Sequence, residues 1–345
     1  MIFHKEEIDM FKNKEAAKTF LKNKYSSEFA SEILDIIFPS ISFVPTTQAK
    51  TLGMTKFGGT PDLPADLEWS RLTIPRNIEE IAQRGNKEAA QAMREHMQKG
   101  LPYTFMGQIN LEEVAVLHNF SNLPTHGRLL FFYDLAVGPW DIGERVARVI
   151  WDQSPVELLR SNDMPPDLKQ AFDKEKAEFE EMIPGFDVKA TNYGSMEQFL
   201  KPVLTWRFPY LGCPDMCQQF THLEKCFADF SNLYGNVFNK LEDDFWETPQ
   251  HINQFYGIPF PVQDDPRFGA VVATNYEKQH LSQEDWKKYR DKIITEAKNW
   301  ILLLQIALSD WMQDDVSEGV VYFVIHKNDL AKRDFSKVIA TYQQT

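Results

Sequence analysis

Two hydrophobic rhythms alternate along the chain. Residues 6–38 carry Ile8, Phe11, Phe20, Leu21, Ile33, Leu34 and Ile37 at helical spacing, predicting a helix that Pro39 closes. Residues 41–44, just ahead of Pro45, read as a short strand. The stretch 77–99 predicts a polar helix with a thin stripe of Ile78, Ile81, Ala82, Ala89, Met93 and Met97, ended by Gly100. Apolar strands are expected at 103–111, 128–134 and 145–151. Pro165-Pro166-Asp167 then opens a charged helix running to about Met182.

The same order recurs. A Gly/Pro/Asp turn, an apolar strand with one glutamine, a glycine and a second apolar strand appear twice. The first set is Gly58-Gly59-Thr60-Pro61-Asp62, Phe105 to Ile109 around Gln108, and Gly127 to Tyr133. The second is Gly212-Cys213-Pro214-Asp215, Leu302 to Ile306 around Gln305, and Gly319 to Ile325. A third strand at 337–342 answers to 145–151. Pro61 precedes Gln108 by 47 positions and Pro214 precedes Gln305 by 91. The 44-residue excess falls in segments predicted helical or looped, at 218–247 and 282–298, with Ser282 starting the latter. The pattern points to an internal duplication.

The expected fold is therefore α+β: mainly antiparallel sheets from two related halves about a pseudo-twofold, with helices outside. Residues 1–40 form an N-terminal helical segment. Residues 41–345 form one integrated unit, with repeats at about 50–151 and 205–342, since neither copy has enough strands to close a core alone.

Composition narrows the functional classes. With 43% hydrophobic residues the 345-residue chain can fill a sizeable core, and a formal charge of −13 disfavours nucleic acid and anionic membranes. Charge interrupts the N-terminus too early for a signal peptide, and Trp300 to Leu308 is too short to span a bilayer. Three cysteines fit a reduced, cytoplasmic setting.

The stretches Lys56 to Pro64 with Trp69, Phe105 to Leu111, Gly127 to Asp134, Leu211 to Asp215 with Gln218, Leu303 to Ile306, and Asp329-Leu330 with Asp334-Phe335-Ser336 carry a resemblance. In these the chain resembles the YwqG-like family of uncharacterised bacterial proteins, over roughly residues 40–345. Relatives carry an acidic pair after the second glutamine strand and a Trp-Gly-Asp approach to the last glycine. Here Ala307-Leu308-Ser309-Asp310 and Asp314 to Glu318 stand instead. The resemblance implies an α+β fold with a structural repeat and no established activity.

Candidate chemistry is sparse. Gln108 and Gln305 each lie inside an apolar strand, where an unpartnered amide is costly. They either bond nearby backbone or line a cleft between the repeats and orient a ligand. Trp140, in a loop, is expected to be partly exposed. Cys213, Cys217, His222 and Cys226 have the right chemistry for zinc without the usual knuckle spacing, so no metal is expected and buried thiols are the simpler reading. Asp62 and Asp215 suit turn closure. The acidic loop around Asp314, Asp315 and Glu318 reads as a solvated connection, or as a surface for a basic partner. No nucleophile elbow, phosphate loop, zinc-protease helix or dinucleotide fingerprint is present, and no cofactor is called for.

Three functions remain open on these residues. The leading one is a non-catalytic cytoplasmic binding protein, inhibitory or immunity-like towards a basic protein. The second is a small-ligand binder using a cleft between the repeats, and the third is a hydrolase or transferase with unfamiliar catalytic residues.

Overall fold

Strands that are apolar on both faces need cover on both sides. The computed structural model describes residues 13–24, 37–48, 50–207, 213–215, 252–314 and 316–344, and supplies that cover. Its strands are β1 (Phe38–Pro45), β2 (Lys56–Phe57), β3 (Asp62–Pro64), β4 (Thr104–Asn110), β5 (Arg128–Tyr133), β6 (Ala147–Asp152) and β7 (Leu159–Ser161). They continue as β8 (Ala190–Thr191), β9 (Gly194–Ser195), β10 (Gln198–Arg207), β11 (Gln254–Gly257), β12 (Trp300–Ala307), β13 (Val320–His326) and β14 (Ile339–Gln343). The helices are α1 (Lys14–Lys24), α2 (Ile78–Ala82), α3 (Lys87–Lys99), α4 (Leu111–Leu117), α5 (Pro166–Met182), α6 (Pro266–Tyr276), α7 (Gln283–Ala297), α8 (Leu308–Met312) and α9 (Lys327–Lys332).

Ten strands make one antiparallel sheet in the order β14-β13-β12-β11-β1-β10-β2-β4-β5-β6. At its middle β1 and β10 pair from Phe38↔Arg207 to Pro45↔Leu200. The outer edges approach each other, because Gly143 just ahead of β6 bridges Ala340 in β14, so the sheet is nearly closed.

Side-chain alternation explains the layers. In β13, Val321, Phe323 and Ile325 face a core shared with Leu129, Phe131 and Tyr133 of β5. Phe131 and Phe323 meet edge to face at 5.2 Å. The opposite side of β13, Val320, Tyr322 and Val324, packs under α6 and α7. On β5 the opposite side is Leu130 and Phe132, packed with Phe105 and Trp69. No helix among the described residues is long and apolar enough to cross a membrane.

The structure differs from the sequence-based expectation in three places. Pro39 does not close a helix: it lies in β1, near a strand end, where a missing N–H costs little. Of the helix expected over 6–38, α1 is described, while 1–12 and 25–36 lie outside the described residues. The helix expected over 77–99 is two, because Asn86 caps α3 by accepting from Ala89 N at 2.8 Å. Elements β10, β11 and α6 were not expected. Pro202 interrupts β10, β11 has four residues, and α6 includes Gly269, Val271, Val272 and Thr274, all weak helix formers. Asp265 starts α6 by accepting from Arg267 N. The expected helix over 218–247 lies outside the described residues. Elsewhere α5 and α7 stand close to expectation, with Ser282 capping α7 through Asp285 N.

Candidate functional site

Gln108 and Gln305 are both fully buried. Gln108 pairs with Lys56 of β2, and Gln305 pairs with Gln254 of β11. Gln108 Oε1 accepts from Asp62 N at 3.1 Å, and Gln305 Oε1 accepts from Phe260 N at 3.0 Å. Each carboxamide thus anchors the turn that follows a short strand. A bulge precedes each glutamine, between Phe105 and Gly107 in β4 and between Leu302 and Leu304 in β12.

The turn that Gln305 holds is therefore Tyr256–Phe260, where Gly212–Asp215 was the expected counterpart of Gly58–Asp62. The first reads Phe57-Gly58-Gly59-Thr60-Pro61 and the second Phe255-Tyr256-Gly257-Ile258-Pro259. Positive φ occurs at 58 and 59, and again at 256 and 257. Pro259 precedes Gln305 by 46 positions, against 47 from Pro61 to Gln108. The excess length lies instead between β10 and β11, where 46 residues stand against ten between β1 and β2. Asp215 pairs with Arg267 Nη1 at 2.7 Å, and Arg267 Nη2 lies 3.4 Å from the Cys213 sulfur. Burial raises the Cys213 thiol pKa.

A cleft with concentrated chemistry lies elsewhere. It encloses about 620 Å³ between α3, the loop after β5, α5 and the Asn192-Tyr193 turn on one side, and Gln263, His280 and the end of β14 on the other. Gln108 and Gln305 are not in its lining. His96 of α3 is 6% exposed there, with Nε2 2.9 Å from Asp134 Oδ1. Asp134 directly follows β5. Arg145 Nη1 lies 3.2 Å from Asp134 Oδ2, and Arg145 Nε reaches Asp141 Oδ2 at 2.7 Å. Arg84 holds the other Asp141 oxygen at 2.6 Å. Burial opposes the Asp134 charge, but His96 and Arg145 outweigh it and pull its pKa below the usual value.

On the other side of His96, Nδ1 faces the Tyr193 hydroxyl at 3.4 Å. Burial raises the Tyr193 pKa, so this phenol stays protonated. Glu175 of α5 accepts from Asn192 N at 2.9 Å and Asn192 Nδ2 at 2.6 Å. Burial nevertheless raises the Glu175 pKa. The arrangement can bind a ring on its aromatic side chains and hydrogen-bond it through His96 and Tyr193.

Trp140 lines this cleft and is 37% exposed, at the end of a 3-10 turn over Gly138–Trp140. The carboxylate of Asp314 accepts from Val316 N and from Ser317 N and Oγ, which folds its own loop. Glu318 accepts from the Tyr342 hydroxyl through its backbone oxygen, and Asp315 lies outside the described residues. Cys217, His222 and Cys226 also lie outside them, and the described residues contain no group of three metal-binding side chains.

A family model described as a domain of unknown function, DUF1963, matches residues 55–343. The chain belongs to this family. The DUF1963 match begins one residue before β2 and ends on the last residue of β14, so it takes in the cleft but leaves out β1, the sheet's middle strand. No curated protein matches the chain. No local sequence feature singles out His96 on its helix. The position of Asp134 at the end of an apolar strand was the sole local signal, and its partner lies 38 positions away.

Proposed function

We propose that this DUF1963 protein binds a small organic ligand in the cleft beside Trp140. The observation that carries the reading is an indole left partly exposed inside a cleft of about 620 Å³, next to a buried His96–Asp134 pair. Clefts of this size that mix aromatic surface with a few fixed polar groups suit small ligands. A screen of small ring compounds by saturation-transfer NMR and thermal melts tests it. Compounds that raise the melting temperature of the native protein should not do so for Trp140→Ala. Finding no Trp140-dependent binder would overturn the reading.

The alternative of a basic protein partner rests on net charge, and the Asp314 carboxylate is already used within its own loop. The cytoplasmic setting and the YwqG-like placement within the family belong to the same proposal, resting on the three cysteines and the shared motifs. We also infer that the two halves descend from one duplicated unit. The support is the matched turn, bulge, glutamine and helix in each, with β1 and β10 exchanged so that each pairs beside the other half's short strand.

A further inference from the structure

The charged groups lining the cleft largely cancel. Lys174 and Glu178 lie 3.5 Å apart on α5. Glu95 and Lys99 are of opposite sign and one turn apart on α3. Glu175 remains, but both its oxygens are taken by Asn192 N and Nδ2. Such a cleft offers little field for either an anion or a cation to follow.

What it does offer is directional. Asp134 Oδ1 lies 2.9 Å from Nε2 without hydrogen-bond alignment, and its nearby negative charge favours the His96 proton on that nitrogen, leaving Nδ1 as an acceptor. The Asp134 carboxylate cannot easily turn away, because Arg145 holds it and is held in turn by Asp141, whose other oxygen Arg84 holds. The group now facing Nδ1 is the Tyr193 hydroxyl at 3.4 Å, long for an O–H donor. The acceptor is thus fixed in place and weakly occupied. In the same lining, Trp140 offers part of an aromatic ring.

We propose that the cleft takes an uncharged, hydroxylated ring, a sugar or the sugar-like part of a larger molecule, with one face on Trp140 and a ring hydroxyl donating to His96 Nδ1. This rests on the small-ligand reading of the same cleft and names its ligand class. A sugar ring combines an apolar C–H face for the indole with hydroxyl donors at its rim, and carries no charge for the cleft to neutralise. Tyr193 then swings from sole donor to second partner, since its hydroxyl can donate and accept.

The test uses the full-length protein with D-glucose, D-galactose, N-acetylglucosamine and maltose as neutral probes. Glucuronate and glucosamine serve as charged counterparts, and indole as a flat ring without hydroxyls. At least one neutral sugar should bind, with affinity falling about tenfold or more in Trp140→Ala and in His96→Phe, the loss of one well-placed contact each. The charged counterparts should bind no tighter. Because His96→Phe leaves Asp134 without its neighbour and can unfold the chain, the histidine claim is also read on the native protein. Nitrogen-15 shifts should place the His96 proton on Nε2, and a proton on Nδ1 would overturn its role as acceptor. Trp140-dependent binding of indole with no sugar bound would overturn the sugar assignment while leaving the ligand site standing. If neither sugar nor indole binds in a Trp140-dependent way, both fall.

Discussion

In the first half, the Asp62 carboxylate accepts from Gly53 N, Lys56 Nζ and Gln108 Nε2 at 2.8, 2.9 and 2.7 Å. Lys56, 1% exposed, also reaches Glu197 at 2.9 Å. At the matching points of the second half stand Phe260 and Gln254, so no such cluster of charges can form. Yet the backbone follows the same course. Leu111 N donates to Gly127 O and Leu308 N to Gly319 O, both at 2.9 Å. Thr55 Oγ1 accepts from Asn110 N, and Asn253 Oδ1 from Ala307 N. Each of these side chains also holds a carboxylate at the third position of the next helix, Glu113 or Asp310. The turn geometry is thus carried by one glutamine amide and a few backbone bonds, and the buried ion cluster is an addition peculiar to the first half.

The largest expected effect tests that addition. Asp62→Ala leaves the buried Lys56 amine with Glu197 alone and should cost about 3–5 kcal/mol in urea unfolding. A loss below about 1 kcal/mol would mean that the cluster is incidental and the halves are held alike.

Next come the glycines after α4 and α8. Gly127 (φ +76°) and Gly319 (φ +99°) both adopt conformations that disfavour a side chain. An alanine Cβ at 127 would lie 2.4 Å from the backbone oxygen of Asp152, whereas at 319 it would meet the outer end of the Tyr342 ring. Gly127→Ala should therefore cost about 2–3 kcal/mol and Gly319→Ala about 1–2 kcal/mol by thermal melts. The second should also disturb ligand binding, since Tyr342 lines the cleft.

The glutamines themselves should differ less. Gln108 Nε2 donates to both Met54 O and Asp62 Oδ2, while Gln305 Nε2 has no partner among the described residues. Gln108→Leu should cost about 1–3 kcal/mol, and Gln305→Leu less than about 1 kcal/mol, because only one bond is lost. Equal losses in chemical denaturation would erase the distinction.

The smallest effect concerns pH. Burial raises the pKa of Glu113 and of Asp310, partly offset by their Thr55 and Asn253 hydrogen bonds. A folded-state pKa above the unfolded one gives stability that is present below the ordinary carboxylate range and lost as pH rises through the raised value. Glu113→Gln and Asp310→Asn should each flatten that decline in melts run from acid to neutral pH. If only one of them does so, the two carboxylates are not equivalent.

Periodicity made the strands around Gln108 and Gln305 legible, along with α5, α7 and the apolar strands β5 and β13. The recurring pattern was legible too, and the turn that Gln305 bonds is Tyr256–Phe260 where the pattern suggested Gly212–Asp215. Matching Gly212-Cys213-Pro214-Asp215 to the first turn followed its proline and aspartate, whereas Phe255-Tyr256-Gly257-Ile258-Pro259 keeps the phenylalanine, glycine and proline that the backbone needs. The aspartate belongs to the Lys56–Asp62 ion pair, and Phe260 stands at the corresponding point of the turn that Gln305 holds. Strand β10 escaped because Pro202 interrupts it and its central pairing with β1 joins residues more than 150 positions apart.

The sequence by itself determined where apolar segments would form strands and helices, because burial period and capping residues act within a few positions of the chain. Only the tertiary structure decided what meets in the cleft. His96, Asp134, Trp140, Glu175, Tyr193 and Tyr342 come from separate elements, and the near-closure of the sheet is what brings β14 against the loop after β5. A hydrogen bond leaves no periodic trace when its two ends lie far apart in sequence, so its existence rests on the fold that closes the distance.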